Sequence, residues 1–310
     1  MSLLVVGSVA FDAIETPFGK RDRIIGGAAT YISLASSYFA KPVNLISVVG
    51  GDFPKDDIKM MQRHGVDTQG LQIKENEKSF FWSGRYHNDM NSRDTLDTQL
   101  NVLADFDPVV PASYQGCEYL MLGNLSPDVQ RLVLERLQRR PKLVVMDTMN
   151  FWMQIALESL RKTISMVDVL TVNDEEARQL TGEYSLLKAA RAILKMGPKY
   201  LVIKKGEHGA LLFHGVEDEI FYAPALPLEE VFDPTGAGDS FAGGFIGYLA
   251  SCNDASFANM RNAVIVGSAL ASFTVEQFGP ERLIDLKRDD LAHRIKSFRK
   301  LTQFDYELSI

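Results

Sequence analysis

The chain has 310 residues, 46% of them apolar and 24% charged, with a formal net charge of −7. That length and apolar share suit a large domain with a substantial buried core. The acidic balance argues against a general nucleic-acid surface or an anionic-membrane surface, and leaves room for a local basic pocket.

Short runs rich in β-branched residues read as buried strands. In chain order they are LLVVGS (Leu3–Ser8), VNLISVVG (Val43–Gly50), EYLMLG (Glu118–Gly123), KLVVMD (Lys142–Asp147), DVLTVN (Asp168–Asn173), YLVIKKG (Tyr200–Gly206) and GALLFH (Gly209–His214). Amphipathic stretches lie between them. PDVQRLVLERLQRR (Pro127–Arg140) opens with proline and keeps helical apolar spacing, and NDEEARQLTG (Asn173–Gly182) starts with acids and stops at glycine. SLLKAARAILKMG (Ser185–Gly197) also closes on glycine. Strand and helix alternate, which predicts an α/β fold: a mostly parallel central sheet with helices on both faces.

Two segments break the alternation. About 10–23 is extended and polar, and about 78–105 alternates through SFFWSGRYHNDM before turning polar. They are expected to form a small antiparallel β lid on one domain spanning 1–310. SFAGGFIGYLA is too short to span a bilayer, and the N-terminal stretch lacks a basic leader, so a cytoplasmic protein is expected. The two cysteines, Cys117 and Cys252, have no metal-ligand spacing and are expected as small buried hydrophobes in a reducing compartment.

In open α/β sheets ligands bind beyond the carboxyl ends of the strands. That rule singles out Asp12, Asn124, Asp147, Asn173, Lys204 to Gly206, and the stretch VFDPTGAGDSFAGGF (Val231–Phe245). There Gly236, Ala237 and Gly238 carry no bulk at the mouth of an apolar helix, so unpaired N–H groups can receive an anion. Asp239 follows in the first turn. It either complements the helix dipole or serves as a general base beside the anion hole. Asp233 is the better candidate for capping the turn.

DPTGAGDSFAGGF closely resembles the second signature of the PfkB (ribokinase-like) carbohydrate kinases. The resemblance extends along nearly the whole chain: IIGGAATYISLA resembles the first signature, VLTVNDEEARQLTG the Asn-x-x-Glu segment, and VIKKGEHGALLF the strand–turn–strand before the nucleotide site. It implies transfer of the γ-phosphoryl of ATP to a primary alcohol, with Mg2+ and possible activation by a monovalent cation. Asp239 would be the catalytic base, and Gly236, Ala237 and Gly238 the anion hole. Asp12, Gly26, Gly27, Thr30 and Tyr31 would meet the substrate. Asn173, Lys204, Gly206 and Gly209 would line the nucleotide site, and Glu176 would reach the metal through water, unless it is a solvated helix acid.

One departure concerns substrate choice. Tyr31 stands where the family usually has asparagine, and a phenol cannot supply the amide's paired donor and acceptor. Together with Phe81, Trp82 and Tyr86 in the lid, it tilts the expectation towards a nucleoside such as adenosine over a free sugar, unless these aromatics merely pack the lid or a homodimer contact. The oligomeric state is left between monomer and homodimer. A phosphosugar kinase would want a basic cluster, for which Arg85 and Arg93 are candidates. A non-catalytic binder need not keep GAGD, and VVGSVAFD lacks the spacing of a dinucleotide fingerprint.

Overall fold

The computed structural model describes residues 2–303; Met1 and 304–310, which the expected domain includes, lie outside the described residues. Its strands are β1 (Leu3–Val6), β2 (Ala10–Thr16), β3 (Gly19–Gly26), β4 (Val43–Gly50), β5 (Val66–Lys74), β6 (Phe80–Tyr86), β7 (Arg93–Gln99), β8 (Tyr119–Leu122), β9 (Leu143–Asp147), β10 (Val169–Asn173), β11 (Tyr200–Lys204), β12 (Ala210–His214) and β13 (Ile220–Ala223). The helices are α1 (Ala28–Ser36), α2 (Lys55–Arg63), α3 (Pro127–Arg136), α4 (Asn150–Ile155), α5 (Leu157–Ile164), α6 (Asp174–Thr181), α7 (Leu186–Leu194), α8 (Ala237–Cys252), α9 (Phe257–Thr274), α10 (Glu281–Asp285) and α11 (Arg288–Thr302).

Strand β1 shows why the main sheet forms. Its four apolar residues have no exposed surface, yet they serve two cores: Leu3 and Val5 join one, Leu4 and Val6 the other. A strand alternates its side chains between faces, so a continuous apolar run requires cover on both. Residues of α1, α8 and α9 fill the first core, and those of α3, α5, α6 and α7 fill the second. The resulting nine-stranded sheet runs β13-β12-β11-β10-β9-β8-β1-β4-β5. It is parallel from β11 to β5 and antiparallel at β11–β12–β13.

The smaller sheet runs β3-β2-β6-β7. It is mixed, not antiparallel as the alternation suggested, because β2 and β6 run parallel. The chain enters β6 only after passing through α1, β4, α2 and β5, and such a long crossover is what permits a parallel neighbour.

Three further expectations are corrected or trimmed. Helix α3 stops at Arg136, and Leu137 is already extended (φ −73°, ψ 129°), so the expected helical stretch to Arg140 is trimmed. The first strand ends at Val6 rather than Ser8. Cys117 is buried but Cys252 is exposed: it closes α8, where Asn253 turns left-handed (φ 51°) at the protein surface. Among the described residues no helix is long and apolar enough to cross a membrane.

Candidate active site

Three parallel strands end side by side on residues with charged or polar tips: Asp147 on β9, Asn173 on β10 and Lys204 on β11. Facing them is the start of α8. The glycines there have distinct causes. Gly236 caps the helix in the left-handed region (φ 76°), and a methyl group on it would overlap the ring of Tyr31. A Cβ on Gly238 would stand 3.1 Å from Lys204 Nζ. Glycine therefore keeps open the space between helix mouth and lysine. Farther along, Cβ atoms on Gly243 and Gly247 would meet the backbone of α1, so these glycines set close helix packing.

The amides at this mouth are not equivalent. Ala237 N–H is engaged with the Pro234 carbonyl at 3.1 Å, and Ser240 N–H with Gly236 at 2.8 Å. The N–H groups of Gly236, Gly238 and Asp239 have no acceptor among the described residues. Of the amides expected to receive an anion, that of Ala237 is thus already engaged, whereas Asp239's own amide is open. Asp233 is fully buried and holds the turn: Oδ1 accepts from Thr235 N–H and Oδ2 from Gly279 N–H, both at 2.8 Å. Its capping role follows, since both oxygens are committed.

Asp239 is pushed up to about 7, first by loss of water and then by Asp147, against the pull of Lys204 and Arg93. Lys204 Nζ donates to both oxygens of Asp147, at 3.1 and 2.9 Å. Burial disfavours the ammonium, but Asp147 and Glu176 outweigh it and hold the lysine above its ordinary value. Lys204 is therefore a charged wall of the cleft, not a surface lysine.

Asn173 and Glu176 form a capping box on α6. Asn173 Oδ1 accepts from Glu176 N–H at 2.7 Å, and Glu176 Oε2 accepts from Asn173 N–H at 2.8 Å. Glu176 is not a solvated helix acid: it is 7% exposed, and burial raises it to about 7. One carboxylate oxygen serves the cap. Among the described residues the site's acids make no three-ligand metal cage.

On the other side, Asp12 lies inside β2, not in a loop after β1, and rides on the smaller sheet. Burial, with help from Asp233, raises it to about 7. A methyl group on Gly26 would overlap its carboxylate, and one on Gly27 (φ 86°) would press on Ser8. The paired glycines therefore let Asp12 sit against the start of α1. Thr30 is fully buried and donates to the Gly26 carbonyl at 2.6 Å, which braces this turn. Tyr31 is 1% exposed, and its hydroxyl has no partner among the described residues. Burial and the nearby Asp233, Asp12 and Asp239 hold the phenol well above its ordinary value.

The smaller sheet closes over this floor. Thr235 Oγ1 donates to Tyr86 Oη at 3.2 Å, and a Cβ on Gly206 would be 2.7 Å from Asn91 Oδ1 in the β6–β7 turn. Gly209 (φ 78°) is required by the close backbone of Ala223. Trp82 and Tyr86 pack with Ile14 and Phe278, and Phe81 against the main core, so these aromatics find partners within the chain. Arg85 pairs with Glu15 at 2.9 Å. Arg93 instead stands 5.6 Å from the Trp82 ring, within electrostatic reach of Asp12, Glu176 and Asp239.

Sequence reasoning gave no role to Asp147 beyond its place at a strand end, and missed Thr148, whose buried hydroxyl also has no partner among the described residues. Position directly after β9 was the available signal. Nothing local in the sequence marks the Thr235–Tyr86 contact.

The nine-stranded sheet with its small second sheet is the ribokinase-like fold, and the cleft is that of a sugar or nucleoside kinase. The model for "pfkB family carbohydrate kinase" matches residues 2–285. The chain is 32% identical to a cytidine kinase of Thermococcus kodakarensis, over 79% of this chain and 87% of that one. It is 25% identical to a nucleoside kinase of Methanothermobacter thermautotrophicus, over 98% and 97%. In fold it is similar to Burkholderia thailandensis nucleoside kinase in complex with inosine, with a TM-score of 0.76, 20% identity and coverage of 96% and 97%. The chain belongs to the pfkB family of carbohydrate kinases.

Proposed function

We propose that the chain phosphorylates the primary, 5′-type hydroxyl of a nucleoside from ATP, with Asp239 as general base. The observation that carries this reading is the helix mouth: a carboxyl poised near neutrality beside three amides without acceptors. Asp239 takes the hydroxyl proton as the acceptor oxygen bonds to the γ-phosphorus and the bond to the β–γ bridging oxygen breaks. The amides of Gly236, Gly238 and Asp239 meet the charge on the transferring group. Lys204 faces the same space. Asp12 orients the sugar hydroxyls, and the smaller sheet acts as a lid that excludes water.

The donor set fits magnesium: it offers carboxylate oxygens, and Glu176 with Asp147 would hold it through water, as a strongly hydrated ion prefers. When bound, the metal neutralises charge on the phosphates.

A nucleoside is favoured over a phosphosugar because Arg85 is spent on Glu15, which leaves Arg93 without the expected basic cluster. The relatives that are nucleoside kinases support the same choice. Asp239→Asn is expected to lower kcat by about 10²–10⁴-fold with nucleoside affinity retained. ATP consumption over adenosine, cytidine, inosine, ribose and phosphosugars reads the substrate. Near-normal turnover by Asp239→Asn would remove the base, and exclusive use of a phosphosugar would remove the nucleoside.

A further inference from the structure

The far end of β12 carries a second cluster that the kinase reaction does not use. His214 is 5% exposed, and neither ring nitrogen has a hydrogen-bond partner among the described residues. The imidazole lies nearly parallel to two neighbouring aromatic rings, with Tyr200 at 4.7 Å and Phe257 at 5.5 Å between centroids. That stacking fixes the ring plane and aims Nδ1 at the β12–β13 turn. Glu217 Oε2 lies 3.4 Å from Nδ1, and Glu219 Oε2 lies 3.9 Å from it. Both carboxylates are otherwise solvent-facing, with side-chain exposures of 63% and 50%.

The turn holds this arrangement. Asp218 adopts the left-handed region (φ 51°), and its carboxylate is drawn away to Arg191 at 3.3 Å. The acids on either side of it are thereby left facing His214. The backbone clasps the same point, with His214 N–H donating to the Glu219 carbonyl at 2.9 Å.

The separations carry the chemistry. A direct imidazole–carboxylate hydrogen bond would be shorter and in line with the N–H, and none forms at 3.4 Å. Ligand atoms held about 2.1 Å from a tetrahedral ion stand about 3.4 Å apart, each oblique to the other's lone pair. The three donors here all fall within 4.8 Å of one another, so a small closure of two surface side chains completes the set. One imidazole nitrogen with two carboxylates suits zinc and its transition-metal neighbours, whereas magnesium and calcium prefer oxygen alone.

We propose that His214, Glu217 and Glu219 bind a zinc-type divalent cation, with water at the fourth position, and that the ion locks the β12–β13 turn. Strand β13 is the edge of the nine-stranded sheet, so the ion pins the edge that is otherwise held from one side. The site is separate from the catalytic cleft. Tyr200 pairs with His214 at one end of β11, and Lys204 with Ala210 at the other, roughly 13 Å away by strand rise.

The test uses the full chain, stripped with chelator, desalted and titrated with ZnCl2 by calorimetry, with CoCl2 as a spectroscopic probe. Wild type is expected to bind one Zn2+ saturably, raise its thermal midpoint, and give a visible tetrahedral Co2+ band. Glu217→Gln/Glu219→Gln, at exposed positions that leave the fold intact, is expected to weaken Zn2+ binding by about tenfold or more and to lose the band. Asp239→Asn and Cys252→Ser are expected to keep both. Absence of saturable binding by wild type, or equal binding by the double glutamine variant, would overturn the proposal.

Discussion

Tyr31 brings a phenol into a floor lined by Asp12, Asp233 and Asp239 and leaves its hydroxyl unpartnered among the described residues. An unsatisfied buried polar group costs about 1–3 kcal/mol, so a ligand that bonds it recovers that penalty. Tyr31→Phe is therefore expected to leave the thermal midpoint of the unliganded protein unchanged or higher. It should raise KM for the nucleoside several-fold with a smaller effect on kcat; an unchanged KM would show that the hydroxyl never meets substrate. At this scale the departure from the family motif was legible, since Tyr31 stands in IIGGAATY. Its packing on Gly236 was not, because the contact joins residues far apart in sequence. The Thr30 hydrogen bond was hidden for a related reason: a hydroxyl near a glycine pair looks free until the helix forms and turns it onto the Gly26 carbonyl.

Helix α8 joins the chain's local chemistry to its packing. It is buried along most of its length against α1 and α9, and its glycines let those backbones approach. The glycine-rich start, the apolar run and the acid in the first turn all announced such an element. Which amides remain unpaired was not legible, because Ala237 N–H is consumed by a turn bond to Pro234 that depends on the backbone path alone. Gly236→Ala forces a left-handed alanine and a clash with Tyr31. The strain should cost on the order of 1–3 kcal/mol. Denaturant unfolding is expected to show that loss, together with a fall in kcat as the helix mouth shifts; full activity at wild-type stability would mean the mouth tolerates displacement. The smaller sheet was harder to read. Its segments were visible as breaks in alternation, but the parallel pairing of β2 with β6 depends on a crossover through α1, β4, α2 and β5.

Across the whole molecule the two-faced burial of the central strands was written in their continuous apolar runs, whereas the sheet order was not, since β1 pairs with β4 and with β8, which lie far from it in sequence. The electrostatics of the assembled cleft were not, because they arise only when strand ends and a helix mouth converge. Asp12, Glu176 and Asp239 each rise to about 7 in the folded chain, from ordinary values of 3.8, 4.5 and 3.8. Between those limits the folded state binds protons that the unfolded state has released, so stability falls as pH rises. The thermal midpoint of the unliganded protein is expected to be higher at pH 5 than at pH 8, the reverse of a protein stabilised by paired carboxylates. A midpoint that rises over this interval would mean that the acids are less isolated from water than their burial implies. The same cluster makes the cleft a proton reservoir. Near neutrality its carboxyls hold protons loosely, and every charged ligand that enters or leaves changes how many they keep. The pH of the solution then sets both the charge of the cleft and the number of protons taken up or released with each ligand.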